Sequence, residues 1–193
     1  AVHLEERTPE RVWEMVAKGR LSIAITRPVL LNHAAGLRTL RLRDEKLCAV
    51  VPDSHPLAGK KTLSWKSLSM QPLVVLARRE GVGLHDEIIA ACRTAGFSPV
   101  FSHPPSLVGT VLSYVEAGAG IGIISEGVSA SAGGTRLKAI PLAPAHTVPL
   151  VLVWSDERED PPTSAFRELV SEWQRKGELW AEGKRNRSRA SSS

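Results

Sequence analysis

Residues 73–124, LVVLARREGVGLHDEIIAACRTAGFSPVFSHPPSLVGTVLSYVEAGAGIGII, read as strand, helix, strand, helix, strand. An apolar run at 73–77 follows Pro72. Residues 84–95 then place Leu84, Ile88, Ala91, Cys92 and Ala95 on one helical face, and Gly96 stops the helix. A short strand at 100–102 leads to Ser106, the expected N-cap of a helix that turns Leu107, Val108, Val111, Leu112 and Val115 inward and ends at Gly118. Residues 121–124 complete the repeat as a buried strand. The glycines between, Gly118, Gly120 and Gly122, superficially match a dinucleotide-binding loop. They follow a helix and precede a strand, the reverse of what a pyrophosphate site needs, and so read as a tight helix-to-strand turn.

Downstream, strands are expected at 137–140 and 148–154. Pro161 and Pro162 then open a last helix carrying Ala165, Phe166, Leu169, Val170 and Trp173 on one stripe. Upstream, a short helix is expected at 62–68, a turn at 52–56, and separate strands at 38–43 and 47–51. At the N-terminus Thr8-Pro9-Glu10 supplies a cap, a first-turn proline and a first-turn acid. Val12, Trp13, Val16 and Ala17 form the buried face, and Lys18-Gly19 closes the helix. With strands at 2–4 and 21–25, this segment reads as a parallel βαβ unit with a right-handed crossover. A preceding strand and helix are expected to be missing from that unit, and the last helix is expected to return and cover its incomplete sheet. The chain begins at Ala1, and an excerpt of a longer protein is expected.

Composition limits the class. The chain has 193 residues, 42% apolar and 23% charged, which suits a globular protein of one domain or two small lobes. No apolar run approaches the ~20 residues that cross a bilayer, and no basic-then-apolar leader opens the chain. Cys48 and Cys92 each lie in an apolar pattern and read as buried thiols, which fits a reducing cytosol. The net charge of +5 is concentrated in GKRNRSRASSS at 183–193, which carries four cations and no acid, so residues 1–182 are nearly neutral at +1. The body therefore lacks the charge of a phosphate-tracking surface, and the basic tail, 177–193, is expected to be disordered.

No nucleotide, zinc-protease, serine-hydrolase or CxxC motif is present, and no metal or cofactor is expected. Asp53-Ser54-His55 contains triad residue types, but neighbours in a turn cannot adopt triad geometry. His85-Asp86 reads as an acid beside an exposed histidine. What remains is a convergence of strand ends and helix starts. Ligands of open α/β sheets bind there. One end delivers Thr8, Thr26 and Arg27, and the other delivers Arg78, Arg79, the loop with Gly83 and Leu84, and Ser106. Hydroxyls, free helix amides and guanidinium groups together favour a small anion such as a carboxylate.

Residues 8–25 (TPERVWEMVAKGRLSIAI), 47–58 (LCAVVPDSHPLA), 95–99 (AGFSP) and 113–124 (SYVEAGAGIGII) resemble, in order and spacing, the effector-binding domain of LysR-type transcriptional regulators. The likeness runs over about residues 2–175. It implies an α/β fold of two Rossmann-like lobes of the type 2 periplasmic-binding-protein kind, with part of the first lobe missing. Lobe I would be residues 1–70 plus 151–176, and lobe II residues 71–150. It implies no catalysis. A small organic anion would lie between the lobes, lined by Thr8, Thr26, Arg27, Gly83, Leu84 and Ser106. The assembly would be a homodimer or homotetramer, and DNA would be met only through a winged helix-turn-helix absent from this chain. Members commonly carry Asp where this chain has Ser22, so that carboxylate contact is lacking. Two alternatives stay open from the residues alone: a stand-alone solute-binding protein of the same fold, and an enzyme using a two-lobe cleft, for which no acid–base constellation is evident.

Overall fold

Strand β2 (Arg38–Pro52) crosses the whole molecule and changes partners midway. In the computed structural model, which describes residues 3–29, 36–102, 104–131 and 136–179, its first part pairs antiparallel with β8 (Thr147–Trp154). From Leu47 onward it lies between β6 (Ile121–Ser125) and β7 (Leu137–Ala143), antiparallel to both. Around these strands the chain order is α1 (Pro9–Ala17), β1 (Ile23–Thr26), β2, β3 (Leu63–Ser64), β4 (Pro72–Val74), α2 (Val82–Thr94) and β5 (Val100–Phe101). Then come α3 (Val108–Glu116), β6, α4 (Glu126–Ser131), β7, β8 and α5 (Pro161–Arg175).

The two parts of β2 bury different cores. In the first half β1 pairs with β8, and β8 with β2. Side chains alternate along β8. Val151 and Val153 meet Val12, Trp13 and Val16 of α1, while Leu152 meets Val170 of α5 and Leu42 of β2. In the second half the uninterrupted apolar run 47–51 is buried on both faces. Leu47, Ala49 and Val51 pack with Ile88, Ala91 and Cys92 of α2; Cys48 and Val50 pack with Val111 and Val115 of α3. Strands β6, β4 and β5 follow in that order, all parallel. The strand–helix repeat of residues 73–124 is therefore present as expected, and α5 does return to the first half.

Several elements differ from the sequence reading. His3 and Leu4 form no strand, and Leu4 is 87% exposed, so a three-residue segment without a neighbour stays unpaired; Val2 lies outside the described residues. Strand β1 instead pairs antiparallel with β8, and the parallel βαβ unit is not formed among the described residues. Residues 38–43 and 47–51 are one strand, because Asp44-Glu45-Lys46 runs on extended and pairs with Pro149, Val148 and Thr147. Residues 62–68 give a two-residue strand and one 3-10 turn, Trp65–Leu68, capped by the Ser64 hydroxyl. Helix α3 starts at Val108 with Leu107 in the cap position, so Ser106 is not its cap. Helix α4 was not expected at all. Strand pairing changes at 46/47, where β2 passes from β8 to β6 and β7. The basic tail falls almost wholly outside the described residues, which end at 179.

The helix-to-strand turn before β6 is as tight as its glycines imply. Gly118 has φ +80° and Gly120 φ +148°, and a Cβ on Gly120 would lie 2.3 Å from the carbonyl oxygen of Pro72. Gly120→Ala should therefore lose about 3–5 kcal/mol of stability through overpacking and backbone strain together. Gly109→Ala, in the first turn of α3 with nothing within 4 Å of the new methyl, should gain up to about 1 kcal/mol. Urea midpoints of the two variants check both.

Candidate functional site

At the point where β2 changes partners, four elements deliver polar groups to one buried cluster. Strand β1 ends at Thr26, which is buried, and the next residue, Arg27, is held by its backbone: its carbonyl accepts from Trp13 Nε1 at 2.8 Å. The Arg27 guanidinium donates to a Glu45 carboxylate oxygen, to Ser125 Oγ at 2.7 Å, and to the carbonyls of Val148 and Pro149 at 3.3 and 3.2 Å. Glu45, 3% exposed, also accepts from Arg43 Nε at 3.0 Å. Burial alone would raise the Glu45 pKa, but hydrogen bonds from Arg27, Arg43 and Ser125 outweigh it and hold the carboxyl below its ordinary range. Gly127 of α4 packs so closely that a Cβ there would lie 2.1 Å from Glu45 Oε1.

Beside this cluster lies a cavity of about 110 Å³. That is the order of the ~150 Å³ space that holds one benzene in an engineered protein interior. Pro9, Arg27 and Pro28 line it from the first half of the molecule. From the second half come Leu76, Gly81, Gly83 and Leu84, then Val108 and Val111 of α3, and Ile123, Ile124, Ser125 and Val128. The lining is thus almost wholly apolar, with Arg27 and Ser125 as its polar side chains. One wall is the start of α2. Its cap residue, Gly81, has no side chain to offer, and the cap comes from α1 instead: the Val82 N–H donates to Glu10 Oε1 at 3.1 Å. The amides of Gly83 and Leu84, in the same first turn, have no partner within the helix by its geometry.

Of the residues read from sequence as an anion site, the fold brings Arg27, Gly83 and Leu84 to the cavity. Thr26 is buried next to it and does not line it. Thr8 stands in the cap position of α1 beside Pro9, without a side-chain cap bond. Arg78 points its fork at Asp86, in two bonds of 2.8 Å, and is satisfied outside the cavity. Arg79 bonds Glu80 at 3.1 Å and reaches the exposed Ser106 hydroxyl at 3.5 Å, so Ser106 stays at the surface. His85 is not exposed: it packs on Phe101 with ring centroids 4.8 Å apart, and burial pushes its pKa down despite the nearby Asp86. His55 accepts the Leu57 amide within its own turn.

Sequence reasoning missed Glu45, Ser125 and the Glu10 contact. Glu45 had one signal, an acid placed just where an alternating stretch turns wholly apolar. Cys48 and Cys92 are buried and free, and burial pushes each thiol up to about 11, so both behave as core. Among the described residues no group of three metal-ligating side chains converges, and no helix is long and apolar enough to cross a membrane.

The model of the LysR substrate binding domain family matches residues 1–175. The uncharacterized HTH-type transcriptional regulator YwbI of Bacillus subtilis (strain 168) is 30% identical over 149 residues, 77% of this chain and 48% of the relative. The chain spans about half the length of the curated relatives it matches. Among solved structures, CbnR, a LysR family transcriptional regulator, superposes with a TM-score of 0.76 at 21% identity, over 89% of this chain and 58% of that one. The BenM effector binding domain with its effector benzoate gives 0.71 at 19% identity, over 91% and 80%.

Glu45→Gln removes the negative charge that Arg27 and Arg43 share. It should cost about 3–5 kcal/mol in urea unfolding at pH 7. Because the folded pKa is below the unfolded one, Glu45's contribution is fully present above about pH 4.3 and is lost as pH falls through the lower folded value. The stability gap between wild type and Glu45→Gln should therefore be constant from neutral pH down to about pH 4.3, narrow as pH falls from there to the lower folded value, and level off below it.

Proposed function

The chain belongs to the LysR substrate-binding domain family, and from that premise we propose that it senses a small organic anion in the cavity between its two halves and reports it to an attached DNA-binding segment. The observation that carries this reading is the cavity itself. It has walls from both halves and lies against the place where β2, and with it the whole molecule, passes from one half to the other. A ligand seated there touches Pro9 and Pro28 on one side and α2 and α3 on the other, so its contact set depends on the angle between them. A ligand shifts such an equilibrium only by its difference in affinity for two angles, typically ~1–3 kcal/mol.

The lining narrows the ligand class. An apolar body the size of one small ring suits Leu76, Val111, Ile124 and Val128. Arg27 is a poor partner for a carboxylate, since its guanidinium is already engaged by Glu45, Ser125 and two carbonyls. The anionic group is better matched by the first turn of α2, where backbone amides and the helix dipole favour negative charge. Gly83 and Leu84 are the contacts carried forward there, with Thr8 beside Pro9 as a neighbouring hydroxyl. Homo-oligomer formation and operator binding through a winged helix-turn-helix belong to the same proposal. The solute-binding alternative has no observation in its favour, the matched relatives being named as regulators.

Calorimetric titration with a panel of small ring-bearing acids, benzoate and shikimate included, tests the reading. At least one acid should bind the wild type, and Val108→Phe, which fills the cavity, should weaken it tenfold or more with little change in urea midpoint. Arg78→Ala should leave the affinity unchanged. Equal binding to the Val108→Phe variant would place the ligand elsewhere.

A further inference from the structure

The first turn of α2 already holds a carboxylate, and it is the protein's own. Glu10 belongs to α1, in the first half, yet its Oε1 accepts the Val82 amide of α2, in the second half, at 3.1 Å. No side chain of the second half caps that helix. The other oxygen, Glu10 Oε2, is buried and has no hydrogen-bond partner among the described residues. A half-satisfied carboxylate is a costly thing to bury, and native proteins keep few such atoms. The residues on either side of the contact, Pro9 on one helix and Gly81 and Gly83 on the other, line the cavity. On the same side the backbones come close: a Cβ on Gly83 would lie 3.5 Å from the Pro28 carbonyl oxygen.

We propose that Glu10 is an internal stand-in for the ligand's anionic group, a latch that holds the two halves together across the cavity until an incoming carboxylate takes its place on the α2 amides. The reading rests on the ligand-sensing function proposed above and specifies how the site is regulated. Its logic is electrostatic. Helix N-termini carry partial positive charge, and Glu10 lies in the first turn of α1 while it contacts the first amide of α2. One negative charge thus serves two positive helix ends. A ligand carboxylate at α2 supplies the same charge without a covalent tie to α1, so the exchange alters what joins the halves while the helix end stays satisfied. The contact is also weakly held, with one neutral amide on one oxygen and nothing on the other.

The test is displacement read as a distance. Spin labels on the exposed positions of an Arg20→Cys, Lys61→Cys double variant report the separation of the halves by pulsed dipolar spectroscopy, the native thiols being buried. Glu10→Ala in that background should shift the distribution to longer or broader distances. Sodium formate, a carboxylate with no tie to α1, should move the wild type toward that distribution, and sodium chloride at equal ionic strength should not. Formate should leave Glu10→Ala unchanged. Glu10→Gln keeps an acceptor for Val82 but not the charge; it should lengthen the distance less than Glu10→Ala, and formate should complete the shift. It carries the test alone if Glu10→Ala fails to fold, and an unshifted Glu10→Gln then overturns the latch. A wild-type distribution for Glu10→Ala overturns it too, as does a wild type that formate leaves unmoved or that chloride moves equally. If the latch fails while acids still bind the wild-type cavity, the sensing function stands without it. If formate moves the wild type and no ring-bearing acid binds it, the latch stands and the sensing function falls.

Discussion

A carboxylate buried to 3% exposure has to bring its counter-charges with it, and Glu45 draws them from separate parts of the chain. Arg27 arrives just past the end of β1 and Arg43 from two residues back along β2, while Ser125, at the end of β6, adds a neutral hydroxyl. Such a cluster is weak evidence of added stability, because desolvation consumes much of the attraction. Its effect here is on geometry. Register along β2 shifts between Arg41 and Arg43, and Leu42, at that irregularity, turns its side chain to α5. Arg43 and Glu45, two apart on one strand face, then both reach the cluster. The strands that leave this point in opposite directions build two different cores, so the ion cluster marks the boundary between them.

The chemistry of the neighbouring cavity follows from that assignment. A guanidinium offers donors in a fixed fork, and Arg27 spends them on Glu45, Ser125 and the carbonyls of Val148 and Pro149. What faces the cavity is consequently closer to neutral than an arginine in its lining implies. The electropositive feature left is the start of α2, and that is built from backbone. Gly81 and Gly83 suit this role: with no side chains, they leave the first turn open to whatever approaches.

The repeat at 73–124 was legible because each helix buries a single stripe and each strand is bounded by proline or glycine, so local pattern and tertiary packing agree. Strand β2 was misread as two because Asp44-Glu45-Lys46 has the composition of a turn, and only the pairing with β8 and the Glu45 cluster makes it extended. Residues 2–4 have strand composition, but a strand exists through its neighbour, and His3 and Leu4 have none here. The arginines show the same limit. Arg27 and Arg78 look alike in sequence; what separates them is a carboxylate, 18 residues away in one case and 8 in the other, that closes each fork in space. Composition nominated the right neighbourhood for the site and could not say which of its charges were already spoken for.

Glu45 and Glu10 are both partly or wholly removed from water, both lie where the halves meet, and they differ in what their departure would leave behind. Withdrawing Glu45 would take from Arg27 and Arg43 the one carboxylate they share, at a place where most of its surface is removed from water. Withdrawing Glu10 would free one backbone amide at a helix end, a group that an anion or water satisfies readily, and would release a carboxylate oxygen that is unpaired to begin with. Partner number therefore sorts the two acids. The one with several donors is fixed and defines the joint about which the halves are arranged; the one with a single neutral donor is exchangeable and sits where exchange is possible.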